Sequence, residues 1–423
     1  MNGMQLRCVG LFILVSVNMV GCSTAKKLTV SNSPKSIENA VPDSLKFEPD
    51  PNEKWIAWQI AQPLPDLDDQ WQALLLDPFN ESQVERAQGK EEFQRRVAAW
   101  LNQESVDANL TFEETIEQVT PNVNLMILSA EVATVLGDEV TAFERLKMAS
   151  HWLDQSLGGA TDLRAKTLTA SRLQVWEAAA RLAESTKTSK AQRSELLKLV
   201  QNTLVLDEVR GLIRRDYATE TVARFQSLMS ASDPAKAIVT TLAGDIDPEP
   251  YAEALTQLLQ SKEHPLNGPE SINLSGGWIE RLTAEDLTIS HWDALVGERD
   301  KNSTNEFKLL KENPDQKLKI ANQPNSVGRL IAFEFTQDAF TAFQWAVYQQ
   351  VQRDSYAVRI NHTIAGNYEL AKQLRSPLSN EHYQVDLKAA LLKMNCPTQS
   401  MSLESMKQLL ESGAAEFGKP VAR

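Results

Sequence analysis

The sequence predicts an all-α fold: an irregular multi-helix bundle or solenoid-like array with a loop-rich insertion and a long C-terminal helix. Three observations carry this expectation. From residue 81 to residue 260, apolar side chains recur at spacings of three and four, the period of one helix face. Caps and breakers punctuate that text at short intervals. Finally, residues 326–356 form the most hydrophobic stretch beyond the N-terminus, with Phe340, Phe343 and Val347 three and four apart. Composition sets the frame. The 423 residues are 42% hydrophobic and 23% charged, ordinary for a globular chain, which excludes fibrous, wholly disordered and polytopic membrane classes. The formal net charge of −13 argues against a nucleic-acid binder, which needs a basic face to displace counterions.

Residues 1–21 read as an export signal. Arg7 supplies the positive n-region, and Cys8 to Val17 is an apolar run too short to cross a bilayer. The run leads to Met19-Val20-Gly21-Cys22. This ending resembles the bacterial lipoprotein signal, an apolar residue, a small or apolar one, Gly or Ala, then Cys. The resemblance implies that Cys22 receives a diacylglycerol and becomes the new N-terminus. Competing readings of the same residues are an ordinary cleaved signal and a retained anchor. Several acyl chains give stable membrane attachment where one is marginal. In that family an Asp after the Cys marks retention in the inner membrane, so Ser23 implies the outer membrane, facing the periplasm. Removing the signal removes Arg7 and Cys8. The remaining chain has charge 42 − 56 = −14 and two cysteines, Cys22 and Cys396, so an intramolecular disulfide has no second thiol once Cys22 carries lipid. Cys396 reads as a structural thiol.

Residues 22–52 read as the lipidated Cys and a flexible tether, rich in proline and poor in large apolar residues. A helical domain is expected over 53–262. It opens with an irregular segment to Phe79. Helices follow over 81–103, where Phe93, Val97 and Trp100 share a stripe, over 122–136, closed by Gly137, and over 139–157, capped by Asp138. Further helices are expected over 162–184, 189–217, 219–230, 234–242 and 248–260. Residues 263–325 read as a loop-rich connector with one or two short helices, because Asn267-Gly268-Pro269 and Ser275-Gly276-Gly277 concentrate turn formers. The C-terminal helical region, 326–423, is expected to hold a long helix over 337–364, a helix over 383–394 and another over 403–412.

Three pieces, residues 136–157, residues 194–226 and Pro324-Asn325-Ser326-Val327-Gly328-Arg329-Leu330, resemble a group of poorly characterised helical envelope proteins of bacteria. The third looks like that group's Asn-Pro-x-Gly-Arg-Leu-Leu turn, with Ser326 in place of Pro. The resemblance implies an N-terminal membrane signal and a helical body. It implies no activity.

Catalytic signatures are sparse. None of the five histidines stands in a zinc-binding spacing, and no nucleophile elbow or phosphate-binding glycine loop occurs. The best local constellation is Glu381, His382 and Asp386. On a helix, His382 and Asp386 share a face and make a weak candidate for a metal or an acid/base pair, against the blander reading of a surface pair near a helix start. The nine tryptophans, Trp55, Trp58, Trp71, Trp278 and Trp292 among them, are expected to pin segments to the body, with a binding surface as the alternative. Lysines between 301 and 319 interleave with acids and read as a solvated face. The expectation is therefore a non-enzymatic, membrane-anchored periplasmic lipoprotein that binds an envelope protein as adaptor or scaffold, without cofactor or metal. The alternatives are an envelope hydrolase acting on peptidoglycan or glycan, and a binder of a small ligand or lipid.

Overall fold

The computed structural model describes residues 39–46, 63–103 (80 aside), 112–160, 163–240 (234, 235 and 239 aside), 266–300, 325–393 (380 and 389 aside) and 415–416. The signal, Cys22, the tether up to residue 38, Trp55, Trp58, the helix expected over 248–260, the lysines at 301–319, Cys396 and the helix expected over 403–412 lie outside the described residues. The architecture is all-α. The helices are α1 (Asp69–Leu76), α2 (Glu81–Arg86), α3 (Lys90–Leu101), α4 (Phe112–Leu136), α5 (Glu139–Gly159), α6 (Leu168–Glu184), α7 (Lys190–Gln201), α8 (Val205–Asp216), α9 (Val222–Ser230), α10 (Gly268–Leu282), α11 (Ile289–Asp300), α12 (Ser326–Ala365) and α13 (Glu369–Gln373). A small antiparallel sheet, β1 (Gln384–Asp386), β2 (Leu391–Lys393) and β3 (Ala415–Glu416), follows them.

Helix α12 is the axis of the molecule. Its 40 residues span about 60 Å. Helices α6, α7, α8 and α10 pack along it. Only Gln337, Asp338, Thr341 and the terminal Ala365 are exposed, so neighbours cover most of the helix, its charged Arg353, Asp354 and Arg359 included. It begins eleven residues before the expected start and takes Phe333 and Phe335 into its early turns. Trp292 of α11 lies against Phe343 at 5.5 Å between ring centroids and against Phe340 at 5.7 Å. Trp71, Trp278 and Trp292 are all buried, as the packing reading expects. One hydrophobic cluster runs from Ala40 to Leu378, across the boundaries expected at 52, 262 and 325.

The predicted stripe Phe93, Val97 and Trp100 is buried, and Asp138 caps α5 by accepting from the Thr141 amide at 3.1 Å. Ser189 and Gln192 form a reciprocal capping box on α7. Four differences have physical causes. The helix expected over 81–103 breaks into α2 and α3 at Gly89, which adopts φ 69°. The helix expected over 189–217 breaks after Gln201. There the Arg353 guanidinium takes the carbonyls of Gln201 and Thr203 (3.3 and 3.0 Å) and satisfies an end that would otherwise be bare. Much of the expected connector is helical. Asn267 is the N-cap of α10 with Pro269 in its first turn, and Gly276-Gly277 lies inside that helix rather than in a turn. The helix expected over 383–394 is instead the β1–β2 hairpin, with Val385 opposite Leu392 and Ala390 at φ 52°.

The Asn325–Leu330 turn clamps α12 to α10. Asn325 sits in the left-handed region at φ 53°. Its side chain accepts from the Asn267 amide at 2.7 Å and donates to the Asn267 carbonyl at 2.9 Å and to Ser271 Oγ at 3.1 Å. A Cβ at Gly328 would collide with Ser271 and with the Asn325 side chain, both buried. Gly328→Ala is therefore expected to cost about 2–3 kcal/mol by overpacking, read as a lower urea midpoint at unchanged slope.

Candidate functional site

Most of the described buried charge serves helix ends and neighbouring side chains. Four consecutive residues at the end of α8, exposed Arg214 and half-buried Arg215 and Asp216 among them, make ties of the same kind. Arg214 donates to Thr283 at the C-terminus of α10, to Oγ1 at 2.9 Å and to the carbonyl at 2.7 Å. Arg215 donates to the Ala160 and Leu157 carbonyls at the C-terminus of α5, at 2.7 and 2.9 Å. Asp216 accepts from the Leu163 amide at 2.8 Å, where a 3₁₀ turn (Leu163–Thr167) begins. The Tyr217 hydroxyl donates to the Ile272 carbonyl at 2.8 Å and meets Ser275 Oγ at 2.8 Å. Burial pushes the Tyr217 pKa up, so the phenol stays a neutral donor. A π-helical turn, Tyr217–Thr221, then links α8 to α9, a device frequent at functional places.

The chain's N-terminal segment meets the body at this hub. Residues 43–45 form a 3₁₀ turn; Ala40, Val41 and Leu45 are buried, Leu45 to 1% exposure. The Ser44 hydroxyl donates to Glu280 of α10. Residues 40–45, which lie within the stretch expected as a tether, are thus held on the body through buried Ala40, Val41 and Leu45.

A second constellation joins α12 to the hairpin. Asp354, 1% exposed, accepts from Arg353 Nε at 2.9 Å and from the Tyr383 hydroxyl at 2.6 Å. Burial raises the Asp354 pKa above the ordinary carboxylate value, while Arg353 and Tyr383 pull it down. Burial and the Asp354 charge raise Tyr383 as well. A third constellation centres on Arg172, also 1% exposed, which bridges Asp154 of α5 at 2.7 Å and Glu208 of α8 at 2.8 Å. Burial, partly offset by Arg172, raises the Glu208 pKa.

The sequence-predicted residues flank the second constellation without composing it. Glu381, His382 and Asp386 are exposed on the bend and strand around buried Tyr383. His382 Nδ1 lies 3.1 Å from the Leu374 carbonyl, and His382 bridges to Arg375 as an extended residue. No helix carries His382 and Asp386; four residues of extended chain separate them by about 13 Å, so the shared helical face expected for a metal or acid/base pair does not form. Among the described residues no group of three or more His, Cys, Asp or Glu side chains is arranged to hold a metal ion. Sequence reasoning passed over Asp354, Arg353, Arg359 and Arg172. The available signal was the presence of charges inside otherwise apolar helical text, which marks paired buried groups.

No protein-family model, curated protein or solved structure matches the chain. One described stretch, Gln118–Leu136 of α4, is long and apolar enough to cross a membrane, and its position inside the core accounts for that composition.

Two outcomes follow from the Asp354 site. Tyr383→Phe leaves a buried carboxylate short of a donor and is expected to cost about 1–3 kcal/mol in chemical denaturation. Because the folded pKa of Asp354 lies above its unfolded value, the native state holds the extra proton. The stabilisation is complete below about pH 4 and is lost as pH rises through the raised value. Asp354→Asn is expected to flatten that part of the stability–pH curve.

Proposed function

We propose that the chain is a bacterial lipoprotein, anchored by acyl chains on Cys22 and facing the periplasm from the outer membrane. Its helical body serves as a protein-binding scaffold of the cell envelope. The observation that carries this reading is the N-terminus: a short apolar run ending in Gly21-Cys22, with Ser23 after it. The body supports it. Arg214, Arg215, Arg172, Arg353 and Arg359 are engaged with carbonyls and carboxylates of neighbouring elements. Such ties make a rigid platform, a suitable support for docking another protein. The resemblance to helical envelope proteins points the same way.

Cys22→Ala is expected to abolish incorporation of labelled palmitate and to move the chain from the membrane to the soluble fraction. An intact chain that takes up no palmitate would sink the anchor. For the scaffold, photoreactive residues placed at exposed Val140, Leu204 and Leu387 are expected to crosslink one envelope protein from at least one position in living cells. Silence at all three, with glycan or lipid binding instead, would turn the assignment toward a hydrolase or ligand binder.

A further inference from the structure

We propose that residues 40–45 are a latch that clips the N-terminal segment onto α10 and fixes how far the body stands from its anchor. The clause about distance rests on the anchor at Cys22; the latch itself does not. Its footprint follows one face of α10. The Pro42 ring lies over Gly276, where a Cβ would come within 2.6 Å of Pro42 Cδ, 2.7 Å of Cγ and 3.2 Å of the Tyr217 hydroxyl. Only glycine lets proline, helix and tyrosine approach this closely. The neighbouring Gly277 has nothing within 4 Å of the same hypothetical atom, so the requirement belongs to the latch face and not to the helix. One turn further along that face, Glu280 receives the Ser44 hydroxyl. Leu45 is drawn in by a turn in which its amide donates to the Pro42 carbonyl at 2.9 Å.

The latch therefore reaches the hub at its α10 side. Tyr217, which Pro42 abuts across Gly276, holds Ile272 of the same helix. A pull on the N-terminal segment is delivered to α10 and α8, the elements that organise the body. Residues 23–39 number 17 and can span at most about 60 Å, against about 80 Å for the 23 residues that run free once residues 40–45 are released. The latch buries few side chains, so it opens without unfolding the core, and opening adds the difference in reach.

The full chain carrying Ala40→Cys tests this by thiol labelling, with peptide mass spectrometry separating residue 40 from Cys22 and Cys396. With the latch docked, labelling is expected to be at least about 10-fold slower than in the urea-unfolded chain. Gly276→Ala is expected to abolish that protection and Gly277→Ala to leave it. Leu45→Asp, which places a charge in the latch without touching α10, is expected to abolish protection while the melting transition of the body stays in place. Fast labelling of Ala40→Cys with no further change, or protection that survives both Gly276→Ala and Leu45→Asp, overturns the latch. In vesicles holding the acylated chain, energy transfer from tryptophan to a headgroup-labelled lipid is expected to fall with Leu45→Asp; unchanged transfer overturns the distance clause. Labelling is independent of acylation, so a failed anchor and a failed latch are told apart.

Discussion

Four adjacent side chains, Arg214 to Tyr217, constrain the rest of the structure. Successive helical residues point about 100° apart, so four of them cover nearly the whole circumference. Each is bound to a different place: the end of α10, the end of α5, the start of the 3₁₀ turn before α6, and the middle of α10. Ties to several elements hold the helix in one rotation, with Asp207 and Arg214 left exposed on its open face. The π-turn that follows adjusts the chain before α9 begins. Long helices joined by short loops leave bare carbonyls at their C-termini, and in a body this closely packed few of them reach water. Arginines from other helices solve that problem, with Arg193 on Thr363 and Arg353 on Thr203 repeating the pattern.

The second constraint is α12. A helix covered along most of its length needs register as well as adhesion, since apolar contacts alone permit sliding. Register comes from polar fixtures along its length. Asn325 and Gly328 lock its start to α10, and the Arg299 guanidinium lies between the Phe333 and Phe340 rings. Asp354 holds Tyr383 of the hairpin, and Arg359 pairs with Glu177 and Glu184 of α6. Each fixture is a desolvated group that is costly to leave unpaired. Misaligned arrangements are therefore penalised more sharply than a loss of hydrophobic area would penalise them.

These constraints shape the functional reading. Groups that might have looked like chemistry in isolation, a buried aspartate with a raised pKa or a cluster of acids around Arg172, are explained by the helices they join. The scaffold role proposed above draws on these same ties, with residues 40–45 packed beside the hub.

The sequence by itself determined the helical class, the cap at Asp138, the stripe of Phe93, Val97 and Trp100, and the apolar character of residues 326–356, because these depend on neighbours within a few residues. Tertiary structure decided what depends on remote partners. Gln201 ends a helix because Arg353, 152 residues away, accommodates its carbonyl. Tyr383 begins a hairpin, not a helix, because strand pairing and Asp354 outweigh local propensity. Gly276 reads as a turn in the sequence and works as a gap for Pro42 and Tyr217 in the fold. Glu381, His382 and Asp386 gained their apparent proximity from a helix that does not form. Local spacing states which groups are present; which groups meet is settled only when burial brings remote charges and carbonyls together across the chain.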